Sequence, residues 1–516
     1  MLDATPLLRA FARVRLAMLD RQDSLRTQQR QLERLLRRAR ETRFGRDHRF
    51  ASLSSVEEYQ RRVPLRSFEA LWEAYWKKSF PVIENETWPG RIPYFAKTSG
   101  TSSGTSKYIP VTEAILSGNR RAILDTLSFH LRTHPRSRVF GGKNFMLGGS
   151  VGLQALAPGV RAGDMSALAA TTVPAWARPY FYPPPDLAKI EDWECRLQAL
   201  GPASLTADIR TIGGTSSWLL LFLKTLKASQ GGLPRIWYPH LELIVYGGVN
   251  FAPYRTQFES LVAGTDIDLR ENYAASEGFI AVADRGVDEG LRLQVDNGLF
   301  YEFVPVDDLS AAQPRRRWLG TVEVGVDYAL VLNTPAGLWG YILGDIVRFV
   351  ELNPPRLLIT GRTSTTLSAF GEHLTEDEIV RAVAASAREI GASIVDFSVA
   401  PVYPDDEERR GRHLFIVEFE SGDPDPERLS RFGAKLDALL SEDNEDYRDH
   451  RFGDVQMLAP EVIAVAHGTF ADWMRSRGAL GGQSKVPRVI TDATALADLR
   501  DRALRSTHAQ PRASGS

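Results

Sequence analysis

The amino-acid sequence predicts an α/β fold, arranged as a large N-terminal α/β domain followed by a smaller α+β domain. Its 516 residues exceed what a single hydrophobic core usually serves. From about 90 to 360, short apolar segments such as Phe145-Met-Leu147, Leu243-Ile-Val-Tyr246 and Ala329-Leu-Val-Leu332 alternate with glycine turns and helical stretches, the pattern of an α/β core. Near 354 the texture changes. Pro354-Pro355 precedes the strand Arg356-Leu-Leu-Ile-Thr-Gly-Arg362, a helix opens at Leu374-Thr-Glu-Asp-Glu-Ile-Val, and Val395-Asp-Phe-Ser-Val-Ala-Pro and Leu414-Phe-Ile-Val-Glu-Phe-Glu read as strands. The expected division is residues 1–362, 363–505 and a small, polar tail, 506–516, without an apolar period.

Residues 7–42 place Leu, Phe, Val and Met at helical spacing among Arg and Gln, which predicts one or two surface helices whose charges need no partner beyond water. Ser52-Leu-Ser-Ser-Val-Glu-Glu carries a helix N-cap pattern, and Pro64 ends that helix. Lys and Arg number 63 against 64 Asp and Glu, so no global field draws the chain to nucleic acid or to an anionic membrane, and neither is expected as a partner. The single cysteine, Cys195, excludes an intramolecular disulfide and a Cys-rich zinc site, fits a reducing compartment, and reads as buried filler. The N-terminus lacks the basic start and apolar core of a secretory signal, and the longest apolar run, Trp218-Leu-Leu-Leu-Phe-Leu223, is too short to span a bilayer, so the cytoplasm is the expected location. His130-Leu-Arg-Thr-His134 has the spacing of a helical metal pair, but it lacks the glutamate of HExxH and meets Pro135, so two surface or capping histidines are expected.

Three runs carry chemistry. In Thr98-Ser-Gly-Thr-Ser-Ser-Gly-Thr-Ser-Lys107, glycines let the backbone aim several N–H groups at one anion, hydroxyls add donors and Lys107 adds charge. Such a composition also suits a flexible linker. The spacing is not that of a Walker A loop. Gly100-Thr-Ser102-Ser-Gly104 matches the serine-hydrolase pattern G-x-S-x-G, but that elbow runs from strand into helix, and Pro110 favours an extended chain here. In Glu271-Asn-Tyr-Ala-Ala-Ser-Glu277-Gly, a carboxylate beside a hydroxyl at a strand end suits Mg²⁺ next to phosphates, and Tyr273 suits stacking on a purine. In Trp339-Gly-Tyr-Ile-Leu-Gly-Asp345, Gly344 permits close backbone approach and Asp345 offers a carboxylate to two ribose hydroxyls. Each of the last two, taken alone, also reads as an ordinary turn.

Together, in order and spacing, these runs resemble the acyl-acid amido synthetases of the plant auxin-responsive (Gretchen Hagen) family and its bacterial relatives, within the adenylate-forming superfamily. The phosphate motif fits across Thr98 to Lys107, Tyr-Ala-x-Ser-Glu across Tyr273 to Glu277, and Tyr-x-x-Gly-Asp across Tyr341 to Asp345. The resemblance extends to Phe44-Gly-Arg-Asp-His-Arg-Phe50, Val63-Pro-Leu-Arg-Ser-Phe-Glu69 and Gly482-Gln-Ser-Lys485-Val-Pro-Arg488, and so covers nearly the whole chain. It implies a firefly-luciferase-like N-terminal domain, a small mobile C-terminal domain and a hinge just after Arg362. It also implies a site in which Ser99, Gly100, Thr101, Ser102, Lys107, Tyr273, Ser276, Asp345 and Arg362 bind ATP, with Tyr273 toward adenine and Asp345 toward ribose. The resemblance further implies that Glu277 holds Mg²⁺ and that Lys485 reaches the reacting carboxylate and α-phosphate. Two positions depart from the family pattern: Glu372-His373 stands where plant members tend to have Glu-Lys, and Gly340 where an Arg often flanks the motif tyrosine.

Within Thr211-Ile-Gly-Gly-Thr-Ser-Ser-Trp218 and the apolar helix that follows, Ile212, Trp218 and Leu219 are candidates for the acyl pocket, with core packing as an equal explanation. Tyr246-Gly-Gly-Val-Asn250 is expected to border the nucleotide, since paired glycines permit close approach, and its Gly248 is counted with the acyl-substrate residues. The expected reaction is adenylation of a small carboxylic acid by ATP with Mg²⁺, then amide formation with an amino acid. The alternatives are transfer to coenzyme A or a carrier-protein thiol, and, in another class, a non-catalytic nucleotide-binding protein.

Overall fold

The amphipathic N-terminus forms two helices, α1 (Thr5–Asp20) and α2 (Ser24–Ala39), the second started by the Asp23 carboxylate, which accepts from the Arg26 N–H. The solvated-face expectation fails at Arg15. That side chain is buried and makes a two-pronged ion pair with Asp125, Nε–Oδ1 2.8 Å and Nη2–Oδ2 2.7 Å, while Nη1 reaches Asp296 at 2.7 Å. Gln28 on α2 is fully buried as well, and its amide bonds the carbonyls of Val295 and Leu299 and the N–H of Tyr301. The expected cap near Ser52 lies at Ser55, whose hydroxyl accepts from the Glu58 N–H at the start of helix Val56–Arg62.

The computed structural model describes residues 2–508 except 99–106, 149–151, 172, 191–192, 249–250, 252–253, 288, 310, 364–366, 368–371, 373, 404–410, 445–446, 449–450, 452–456, 478–484 and 491. The chain divides into two units, residues 1–249 with 258–358, and residues 250–257 with 359–516. In chain order the strands are β1 (Tyr94–Thr98), β2 (Lys107–Val111), β3 (Lys143–Leu147), β4 (Gln154–Ala157), β5 (Val160–Gly163), β6 (Phe181–Tyr182), β7 (Ile209–Thr215), β8 (Leu243–Gly247), β9 (Asp268–Ala275), β10 (Gly278–Val282), β11 (Leu291–Leu293), β12 (Phe300–Pro305), β13 (Arg317–Trp318), β14 (Asp327–Asn333), β15 (Tyr341–Leu352) and β16 (Pro355–Arg362). Three more follow in the second unit, β17 (Ile394–Val402), β18 (Arg412–Phe419) and β19 (Glu461–Val465).

Twelve strands form one mixed sheet in the order β13-β12-β14-β15-β16-β11-β10-β9-β8-β7-β3-β6. The run β6-β3-β7-β8-β9 is parallel, and β7 connects to β8 through helix Ser216–Gln230, the βαβ unit foreshadowed by alternating apolar and helical segments. The other half is antiparallel, folded back through short turns. A four-stranded sheet, β2-β1-β5-β4, contains the strands that flank the Ser/Thr/Gly run, with Thr98 opposite Lys107.

Helix Glu113–Thr133 packs on the face of the large sheet that carries Asp268, Arg270 and Asn272. There His130 is fully buried, which corrects the expectation of a surface or capping residue. Its Nδ1 lies 2.8 Å from Asp268 Oδ2 and its Nε2 3.0 Å from Ser137 Oγ, while Arg270 Nε donates to the same Asp268 oxygen at 2.6 Å. His134 stacks on His130 with centroids 4.8 Å apart. The donor atoms of His130, His134 and Asp268 lie within 4.8 Å of one another, but the aspartate is already matched by a buried guanidinium, so the cluster is a charge-balanced clasp between helix and strand.

In the second unit, β17-β18-β19 form a three-stranded sheet between two helical layers. Phe397, Val399, Phe415 and Val417 pack with helices Glu376–Glu389 and Pro426–Asp443; Ala400, Leu414 and Ile416, on the opposite face of the pleat, pack with Thr469–Ser476 and Ala493–His508. The helix predicted at Leu374 opens on a capping box, Thr375 with Glu378. The last helix runs to His508, three residues into the segment expected to form a tail, while 509–516 fall outside the described residues. No helix among the described residues is long and apolar enough to cross a membrane. Cys195, expected as buried filler, is exposed.

The clasp yields a stability test. Burial raises the Asp268 carboxyl, and the His130 hydrogen bond and the Arg270 charge more than offset it, so the group is held below its ordinary value. A depressed folded-state value means that this contribution is full above the usual carboxylate range near ~4 and is lost as pH falls through the folded value. Asp268→Asn leaves Arg270 and His130 buried and should lower the unfolding free energy at pH 7 by about 3 kcal/mol. In denaturant titrations its deficit against the wild type should narrow below about pH 4.

Candidate functional site

The site is assembled at one end of the large sheet. β9 turns directly into β10, with Ala275 paired to Gly278, so Ser276 and Glu277 form the two-residue tip of a hairpin. Glu277 is 7% exposed, and its Oε1 accepts a hydrogen bond from the Tyr341 hydroxyl at 2.9 Å. At the start of β15, Gly344 adopts φ +94, a left-handed conformation that favours glycine, and Asp345 follows, half-buried. Its Oδ2 accepts from the Tyr273 hydroxyl at 2.6 Å. The second and third motifs therefore exchange partners: each tyrosine holds the other motif's carboxylate.

In the sheet order, β9 and β15 are separated by β10, β11 and β16, a distance of about 19 Å across a flat sheet. A contact of 2.6 Å between their side chains requires the sheet to curl. Twist accumulates over the four steps. The narrow middle contributes, because β11 has three residues and pairs β16 only at Leu291–Leu357 and Arg292–Arg356. There Arg356 grips Asp284 beyond β10, Nε–Oδ1 2.8 Å and Nη2–Oδ2 2.6 Å.

The third motif is also fixed from its other side. Arg66 pairs with it through Arg66 N–Gly340 O at 2.8 Å and Ile342 N–Arg66 O at 3.0 Å. Gly340 has φ +55, and a Cβ there would stand 2.6 Å from the Pro64 carbonyl oxygen. This accounts for the departure at 340: the segment Val63-Pro-Leu-Arg66 lies too close for any side chain.

Residues 19–201 match the GH3 family N-terminal domain, 293–362 its central domain and 377–494 its C-terminal domain. The chain belongs to the GH3 family. Among curated proteins, this GH3 chain is 26% identical over 299 residues to the indole-3-acetic acid-amido synthetase GH3.3 of Arabidopsis thaliana, covering 55% of this chain and 49% of that protein. It is 29% identical over 304 residues to GH3.8 of Oryza sativa subsp. indica, an enzyme of the same name, covering 54% and 48%. It thus spans about half the length of the curated relatives it matches. Among solved structures it superposes on GH3.15 acyl acid amido synthetase with a TM-score of 0.78 at 19% identity, covering 95% of each chain. On 2-hydroxyisobutyryl-CoA ligase the TM-score is 0.60 at 16% identity, covering 92% of this chain and 91% of the ligase. The fold is therefore that of the adenylate-forming ligases.

Other predicted residues of the GH3 chain fall into place unequally. Ser99, Gly100, Thr101 and Ser102 lie outside the described residues, but the run enters strand β2, which removes the strand-to-helix context of a hydrolase elbow. Lys107, at the start of β2, pairs with Glu69 at 3.0 Å and lies 5.5 Å from the Phe68 ring centroid. Ser276 is half-buried at the hairpin tip. Gly248 follows β8 with φ +79, where a Cβ would stand 3.5 Å from Thr215 Oγ1 at the end of β7.

The acyl-pocket candidates differ in burial. Ile212 and Leu219 each show 0% exposure, as the core-packing explanation expects. Trp218 is half-buried. On β3, Met146 is 50% exposed, on the opposite face of the pleat from buried Phe145 and Leu147; an exposed Met between two buried neighbours is a signal that alternation alone could have raised.

In the second unit, Arg362 is half-buried at the end of β16, and Lys485 is exposed. Sequence reasoning missed what anchors that lysine. Ser398 donates to the Pro487 carbonyl at 2.7 Å, Arg488 ion-pairs with Asp396 and lies 4.5 Å from the Phe397 ring centroid, and Val489 bridges to Val399. Glu372 is fully buried against His413, at 2.9 Å, and His373 lies outside the described residues.

Gly340→Ala meets backbone and not a yielding side chain. It should cost about 2 kcal/mol or more in chemical unfolding, because the strain falls on the backbone next to Tyr341.

Proposed function

We propose that this chain is an ATP-dependent acyl-acid amido synthetase, which adenylates a small carboxylic acid and transfers the acyl group to an amino acid. The observation that carries the reading is the exchange of partners between two motifs, Tyr273 bonded to Asp345 and Tyr341 bonded to Glu277, in a chain of the GH3 family. ATP is the nucleotide, with Asp345 at its ribose and Tyr273 beside its base. Ser99, Gly100, Thr101, Ser102 and Lys107 are the proposed phosphate-side contacts, and Ser276 and Arg362 are counted with the ATP-binding residues. Glu277 offers a hard oxygen donor, which fits Mg²⁺, an ion usually bound by one or two carboxylates together with substrate phosphates. When bound by Glu277, Mg²⁺ would neutralise charge on the phosphates.

An oxygen of the acid attacks the α-phosphate and pyrophosphate leaves; the neutral amine of the amino acid then attacks the acyl carbon and expels AMP. The chain orients both partners and excludes water from the mixed anhydride. Lys485 is the proposed cation for charge developing at the reacting carboxylate and α-phosphate. The names of the plant relatives point to indole-3-acetic acid as one acid to test. A single cysteine and these substrates fit the cytoplasm.

The test is acid-dependent exchange of labelled pyrophosphate into ATP, followed by product analysis with amino acids and with coenzyme A. Exchange and amide are expected. Lys485→Ala should lower exchange by about 10²-fold or more. Absence of exchange with every acid would leave a nucleotide-binding protein, and thioester as the sole product would replace the amide reading.

A further inference from the structure

We infer that Tyr273 governs recognition of the ribose through Asp345, and that Tyr341 does the same for Glu277, so that the two tyrosines are positioning residues exchanged between motifs. This rests on the nucleotide reading above and goes beyond it, because there Tyr273 has a role only toward the base.

The geometry points away from stacking as the whole role of Tyr273. Its side chain is 5% exposed, and its hydroxyl is spent on Asp345 Oδ2 at 2.6 Å, within the range of a charge-assisted O–H···O⁻ bond. An aspartate has a broad, soft terminal torsion. A carboxylate that is to accept two vicinal hydroxyls must present both oxygens in one plane, and a short hydrogen bond from a buried phenol fixes that plane. Tyr341 is 3% exposed and treats Glu277 in the same way at 2.9 Å. The helper hydroxyls come from β9 and β15, which are not neighbours in the sheet, so each carboxylate takes a hydrogen bond from the other motif. A phenylalanine fills either tyrosine position and removes only the hydroxyl, which makes the pair separable from packing.

The experiment measures dissociation constants of AMP and 2′,3′-dideoxy-AMP by calorimetry on the full chain, with thermal unfolding recorded for each variant. The wild type should prefer AMP. Tyr273→Phe should reduce that preference at least about fivefold, chiefly through weaker AMP binding, because a hydrogen bond to a misoriented carboxylate loses most of its contribution. Asp345→Ala should abolish the preference, and adding Tyr273→Phe to it should change nothing further, as expected for a residue acting through another. Tyr341→Phe should leave the AMP preference intact and raise the Mg²⁺ concentration needed for half-maximal ATP binding by at least about threefold. A Tyr273→Phe protein that keeps the wild-type preference, or that loses affinity for both nucleotides equally, would overturn the inference. So would a Tyr341→Phe protein with unaltered Mg²⁺ dependence, even where Tyr273→Phe proves too unstable to measure. A wild type that binds neither nucleotide would remove the nucleotide reading itself, and a wild type that binds both equally would remove the assignment of Asp345 to ribose.

Discussion

The curl of the large sheet is the constraint on which the site depends. Strands that stand four places apart in hydrogen-bonding order meet through side chains, and the fold achieves this with a middle so short that accumulated twist is not resisted by long ladders. Buried charge pairs take over where strand pairing is sparse. Arg356 with Asp284 closes the narrow middle, and Arg15 with Asp125 and Asp296 ties the first helix to the residues just ahead of β12. Removing one member of such a pair costs far more than the pair contributes in an exposed setting, because the partner remains buried and charged.

The same logic explains what could be read in the sequence. Local order was legible wherever it follows from short-range periodicity or capping: α1 and α2, the strands at 143–147, 243–247 and 327–333, and the Thr375–Glu378 box. The second and third motifs stood out too, since carboxylates and tyrosines at strand ends mark a polar site. Their partnership was not. Tyr341 and Glu277 are 64 positions apart and Tyr273 and Asp345 are 72, and no spacing rule connects residues that only a curled sheet brings together.

Errors arose where one residue type serves two environments. Arg15 resembles its solvated neighbours until Asp125 is placed opposite it, 110 positions away. His130 resembles a helix-end histidine until Asp268, 138 positions away, is seen to accept from it. Ile212 and Leu219 have the composition of an apolar pocket and the burial of a core, and composition cannot separate those two states.

Lys485 illustrates how a tether limits a flexible side chain. It is exposed, but three positions later Arg488 is bound to Asp396 and packed over Phe397. Three extended residues span at most about 11 Å, so the lysine backbone cannot stray beyond that radius from β17. Its leash is shorter than the strand to which it is tied. The ammonium group is therefore not an independent arm: wherever it acts, β17 must have been carried there with it.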